Sequence, residues 1–125
     1  HKFVSLGENV SGEPAFIVEI DEDLLWSNLP LFFEEHGFTI KDLNESTKIY
    51  FVDYVKPETS FWDSIWGDSV PVVDLPNGKY QFQLEKMADK SVVTLFDSEG
   101  NALPEATLEK IFDVMESGLS FKDTF

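Results

Sequence analysis

Between Asp21 and Gly37 the chain reads DEDLLWSNLPLFFEEHG. At ~100° per residue, Leu25, Leu29, Phe32, Phe33 and His36 fall on one helical stripe, and Asp23, Ser27, Pro30 and Glu34 fall opposite. Trp26 flanks the stripe on one edge, and Leu24 and Leu31 flank it on the other. So broad an apolar face needs a surface that wraps it, such as a curved antiparallel sheet. Asp21 is placed to cap the helix, with Glu22 and Asp23 at its positive end. Gly37 ends it in the left-handed conformation. Pro30 removes one backbone hydrogen bond, but the stripe runs on across it, which predicts a bend rather than two helices.

The rest of the chain supplies the sheet and further helices. His1 to Pro14 has no sustained period and is expected to be a tail or linker. Ala15 to Ile20 reads as a short strand with Phe16, Val18 and Ile20 on one side. Phe38 to Asp42 and Lys48 to Val55 read as strands joined by a turn at Asn44 to Ser46. The second of these is apolar on both faces and is expected centrally in the sheet. Asn44-Glu45-Ser46 also matches a glycosylation acceptor, which the turn explains equally well.

Gly78 to Lys86 alternates, with Tyr80, Phe82 and Leu84 facing in and Lys79, Gln81, Gln83 and Glu85 facing out. A turn at Ala88 to Lys90 leads to its hairpin partner, Ser91 to Asp97. After a turn at Ser98 to Asn101, Pro104 can open a last helix striped by Leu108, Ile111, Phe112, Met115 and Leu119. The connection between Val55 and Gly78 holds a short helix of its own, capped by Ser60 and Asp63, with Phe61, Trp62, Ile65 and Trp66 on its apolar side. The predicted class is α+β: a curved antiparallel sheet against two long helices, in the order β-α-β-β-short α-β-β-α. Residues 1–13 are a linker or tail, 14–120 the domain and 121–125 a C-terminal tail.

Composition narrows the function. Twelve Phe and three Trp in 125 residues exclude general disorder. No apolar run approaches the ~18 residues of a membrane span, and no basic-then-apolar leader precedes the domain. The net charge of −15 opposes non-specific binding to nucleic acid or anionic lipid. Absence of Cys removes disulfides, thiolate metal sites and Cys nucleophiles.

Little points to catalysis. His36 is the single internal His, and a His in a last helical turn is best explained by the negative end of the helix dipole. Glu34-Glu35, Asp21-Glu22-Asp23 and Asp53 could be combined into a glycosidase pair, but caps and solvated faces account for them. Asp97-Ser98-Glu99-Gly100-Asn101 lacks the spacing of a calcium loop, and no His pair sits at metal-ligand spacing. Phe61, Trp62, Ile65 and Trp66 form either a lid over the core or a partner surface, with one Trp sealing and the other at least partly exposed. The Leu24–Leu31 edge is the second candidate partner surface.

The ordered set Trp26-x-x-Leu29-Pro30, Gly37-Phe38-x-Ile40-x-Asp42, Gly78-x-Tyr80 and Asp97-x-x-Gly100-x-x-Leu103 resembles the C-terminal domain of the BamC family. Those are accessory lipoproteins of the outer-membrane β-barrel assembly machinery, and the likeness spans about Glu13 to Phe121. The resemblance implies a helix-grip fold and a non-catalytic protein-interaction domain without a cofactor. It also implies a place at the bacterial outer membrane, through a lipidated N-terminus absent from this chain, and protein partners in the assembly machinery. The alternative is a helix-grip domain holding a small apolar ligand between helix and sheet, which would require a closed apolar cavity.

Overall fold

The structure, a computed structural model, describes residues 3–57 and 72–120. Its elements are β1 (Val4–Glu8), β2 (Pro14–Val18), α1 (Glu22–Glu35), β3 (Phe38–Asn44), β4 (Ile49–Tyr54), β5 (Gly78–Met87), β6 (Lys90–Phe96), α2 (Glu105–Lys110) and α3 (Phe112–Leu119). The strands form one six-stranded sheet in the order β1-β2-β6-β5-β4-β3. Each neighbouring pair is antiparallel. The short helix expected over Ser60 to Trp66 and the tail 121–125 lie outside the described residues.

The alternation in β5 translates directly into packing. Tyr80, Phe82 and Leu84 are buried and Lys79, Gln81 and Gln83 are not. Opposite them stand Val52, Tyr50, Leu95 and Val93, so register carries the apolar set across the sheet on one face. Phe33 meets that face edge-on, with its ring 4.9 Å from Phe82 and 5.3 Å from Tyr50. β4, expected centrally, is an interior strand but lies one in from the edge, between β5 and the edge strand β3. Only Tyr50, Val52 and Tyr54 are buried, however; Ile49, Phe51 and Asp53 stay half-buried on the outer face.

Residues 4–8, expected as tail, are instead an edge strand. β1 pairs residue for residue with β2, from Val4↔Val18 to Glu8↔Pro14, and Val4 is fully buried. Val4 and Leu6 are too few, with Gly7 beside them, to set up a visible period of two. The strand exists because β2 pairs with it and α3 packs on it. The turn is held by Asn9, whose Oδ1 accepts from the Ser11 and Glu13 amides at 2.9 Å each. Asn9 Nδ2 donates to Thr94 Oγ1 at 2.9 Å, fastening the hairpin turn to β6.

α1 is continuous through Pro30. Asp21 caps it, its carboxylate accepting from the Asp23 amide at 3.0 Å. Proline has no N–H to give the carbonyl four residues back, which is that of Trp26. The buried Tyr50 hydroxyl donates to that carbonyl instead, at 2.8 Å, while the Tyr50 and Trp26 rings stack at 4.0 Å. Tyr50→Phe keeps the stack and strands the carbonyl. Chemical denaturation is expected to show a loss of about 1–3 kcal/mol; no loss would mean water replaces the hydroxyl.

The second long helix is in fact two short ones. The Ile111 amide donates to the Leu108 carbonyl at 3.2 Å, a bond three residues back, where a tighter turn separates α2 from α3. α2 packs on β2, whereas α3 packs on α1 and β1. A straight helix would not follow both surfaces, and the turn lets Leu108, Ile111, Met115 and Leu119 all be fully buried. Pro104 is the residue before the helix rather than its first residue. α3 meets α1 at Gly118, where an added Cβ would lie 2.5 Å from the Phe32 ring.

Candidate functional site

The residues with chemical potential are spread out: Glu34 and Glu35 are exposed on α1, while His36, Asp97 and Asp53 are engaged locally. His36 follows α1; its Nδ1 sits 2.9 Å from the Phe32 carbonyl, so this nitrogen carries the proton. Its ring stacks on Phe32 at 4.4 Å. The Asp97 carboxylate accepts from the amides of Glu99 and Asn101 and so closes its own turn. Asp53, on the outer face, lies 3.3 Å from Lys79 Nζ and 3.8 Å from Lys41 Nζ. These three line an open cleft of about 150 Å³ with Phe51, Gln81 and Asp97. Among the described residues no group of three or more His, Asp or Glu is placed to hold a metal.

The three tyrosines serve structure. Tyr54 donates to the Val73 carbonyl at 2.6 Å and Tyr80 to the Pro76 carbonyl at 2.7 Å. Together they pin the returning stretch around the buried Val73 and Leu75 to the sheet. Burial pushes all three phenols up, and nearby negative charge adds to it: Glu45 for Tyr50 and Asp97 for Tyr80. Tyr54 is pushed up to about 12 by burial first, then by Tyr80 and Asp74. A phenol whose folded pKa exceeds its unfolded value contributes stability that is complete below the unfolded pKa of about 10 and is lost above it. Unfolding free energy should therefore fall by roughly 2–3 kcal/mol for Tyr54 as pH rises from about 10 to 12. Denaturation curves across that range check this, with Tyr54→Phe expected to flatten the decline.

The space between helices and sheet is filled by side chains. Phe32, Phe33, Phe38, Phe82 and Tyr54 form successive ring contacts there, with centroids 4.6 to 6.4 Å apart. An open groove of about 300 Å³ runs outside them, lined by Pro30, Phe33, Glu34, Phe38, Thr39 and Ile40. It lies between α1 and the edge strand β3 and is a surface depression.

The other edge of α1 is different. Leu24 is 38% exposed and Leu31 is 51% exposed, while Leu25, Trp26, Leu29, Phe32 and Phe33 on the same helix are buried. Between the two leucines lies Asn28, half-buried, its Nδ2 donating to the Leu24 carbonyl at 2.7 Å. Glu35 follows, exposed. The structure thus brings Leu24 and Leu31 into one exposed row and adds Asn28 and Glu35, which the sequence reading passed over. The signal was the spacing, since 24, 28, 31 and 35 repeat at the four-three-four interval of a helical seam. Phe61, Trp62, Ile65 and Trp66 lie outside the described residues.

Comparison with known proteins is consistent with this architecture. Residues 4–119 match the family described as outer membrane protein assembly factor BamC-like C-terminal domain, so the match takes in β1. Similar proteins, each named outer membrane protein assembly factor BamC, occur in several bacteria. That of Ferrimonas balearica is 35% identical over 86% of this chain and 29% of its own length. That of Kangiella koreensis is 36% identical over 95% of the chain and 33% of its own length. That of Vibrio cholerae is 28% identical over 91% and 33% respectively. The chain spans about a third of the length of the curated relatives it matches. With a single match running from β1 to the end of α3, the chain belongs to the BamC-like C-terminal domain family.

Proposed function

We propose that this chain is a non-catalytic protein-interaction domain of an outer-membrane lipoprotein that assists the assembly and insertion of β-barrel outer-membrane proteins. The relatives' shared name, outer membrane protein assembly factor, supports the process. The observation that carries the interaction role is the exposed leucine row of α1 beside a filled core. Apart from Pro30, polar side chains cover the outward side of that helix, with Asp23, Ser27 and Glu34 exposed. An apolar row on such a surface marks a place where another protein docks.

In this reading the sheet wraps α1 in the helix-grip manner. Leu24 and Leu31 make one contact with other proteins of the assembly machinery, and Phe61, Trp62, Ile65 and Trp66 make a second. The lipid anchor belongs to a part of the protein outside this chain, and the domain reaches the outer membrane through it. No helix among the described residues is long and apolar enough to cross a membrane.

The test is site-specific photo-crosslinking in intact envelopes, with the full-length protein carrying the crosslinker at Leu31, at Trp66 or, as a control, at Gln83 of the outer sheet face. Adducts with components of the assembly machinery from Leu31 or Trp66 but not from Gln83 support the reading. Equal labelling from all three positions, or none from any, would overturn it.

A further inference from the structure

We infer that the row Leu24–Asn28–Leu31–Glu35 docks a basic amphipathic helix of a partner protein, an inference that rests on the interaction-domain reading above. The row follows the spacing of core positions in a two-helix seam and runs about 16 Å along α1, a little over three turns. Two of its members are leucines with 38% and 51% of their surface free, so an apolar ridge is present and partly uncovered. Asn28 sits midway. Its Nδ2 is spent on the Leu24 carbonyl, and Oδ1 remains open to a donor from the partner. A polar residue within an apolar seam sets register.

Charge decides what kind of helix fits. Within α1, α2 and α3 stand eight carboxylates (Glu22, Asp23, Glu34, Glu35, Glu105, Glu109, Asp113, Glu116) and one basic residue, Lys110. Of these nine groups, only Asp23 has an ion-pair partner among the described residues, Lys48 at 3.4 Å. The other described lysines, at positions 41, 48, 56, 79, 86 and 90, lie on strands or strand connections. The helical layer therefore presents an apolar row in a field of one sign. A second copy of this chain would bring like charge against like, and an anionic lipid surface would be repelled. A helix with leucine-type side chains on one face and Lys or Arg on its flanks meets both the row and the field.

The probe is a synthetic helix of about 18 residues, Leu at seam positions and Lys elsewhere. Fluorescence anisotropy measures its binding to the 125-residue chain. Two comparison peptides are used: a scramble of the same composition without an apolar face, and an analogue with Glu for Lys. The amphipathic Lys peptide should bind at least about tenfold tighter than either, and weaken as salt rises from about 0.05 to 0.5 M. Leu24→Ser with Leu31→Ser should weaken it about tenfold. Both positions are partly exposed, so the circular dichroism spectrum of this variant should match the parent and its melting should fall only slightly. Equal binding of the scramble, equal binding of the Glu analogue, or no effect of the double substitution would each overturn the inference.

Sequencing the segments crosslinked from Leu31 in the envelope separates this from the wider reading. A basic amphipathic helix supports the inference. An acidic or extended segment of an assembly protein would overturn it and leave the interaction domain standing, whereas absence of adducts from every position would remove both.

Discussion

Leu29→Ala is expected to lower the unfolding free energy by ~2–5 kcal/mol, among the largest single losses available in this chain. Leu29 sits midway along α1, fully buried within the core cluster that unites the helix with the sheet. Its burial is set from both sides. The helix presents it between Trp26 and Phe33, and the inner sheet face offers Phe82 and Tyr50, each already in ring contact with Phe33. Truncation removes three heavy atoms from a site whose neighbours are locked by mutual packing, so a cavity persists rather than collapses. Urea denaturation reads the loss directly, as a shift in midpoint at unchanged slope. A loss below about 1 kcal/mol, typical of surface sites, would mean that the sheet does not grip the helix there.

The same contrast explains which parts of the fold could be read in the sequence. α1 was legible because its stripe, its Asp21 cap and its terminal Gly37 agree with one another. β5 was legible because residues 79–85 alternate, and its hairpin with β6 because the Ala88–Asp89 turn is local, with Ala88 taking positive φ. What stayed hidden depends on non-local partners. β1 carries too little pattern to declare itself and is fixed by β2 and α3. The pairing of β2 with β6 joins segments about seventy residues apart, which no short-range period encodes. The break at Ile111 preserves an apolar stripe that reads as continuous, because its cause lies in the two different surfaces beneath α2 and α3. As for the candidate site, Leu24 and Leu31 were visible as an edge of the stripe. They were legible as a candidate partner surface too. How much of each leucine stays uncovered was not, since that depends on how far the sheet and α3 reach around the helix.

Gly37→Ala is the second large effect, and here backbone geometry and packing act together. Gly37 has φ of +85°, the left-handed region in which an L side chain costs about 1–2 kcal/mol. A Cβ at this position would also lie 2.7 Å from the Val55 carbonyl oxygen and 3.3 Å from Pro57 Cδ. The first contact is with backbone, which is held in place: the Val55 amide donates to the Gly37 carbonyl at 3.1 Å, and Phe38 pairs with Tyr54 in the adjoining ladder. Relief would require β3 and β4 to separate just where the Phe38 ring rests 4.6 Å from that of Tyr54. Displacing packed elements in this way adds about 1–3 kcal/mol to the conformational cost. The helix-to-strand corner would then fail as a unit. Thermal unfolding of Gly37→Ala should fall well below that of an Ala substitution at Gly100, which shares the positive φ but has open space around its Cβ position. Equal melting of the two variants would show that the close approach to Val55 costs nothing, and that φ alone sets the preference for glycine at this corner.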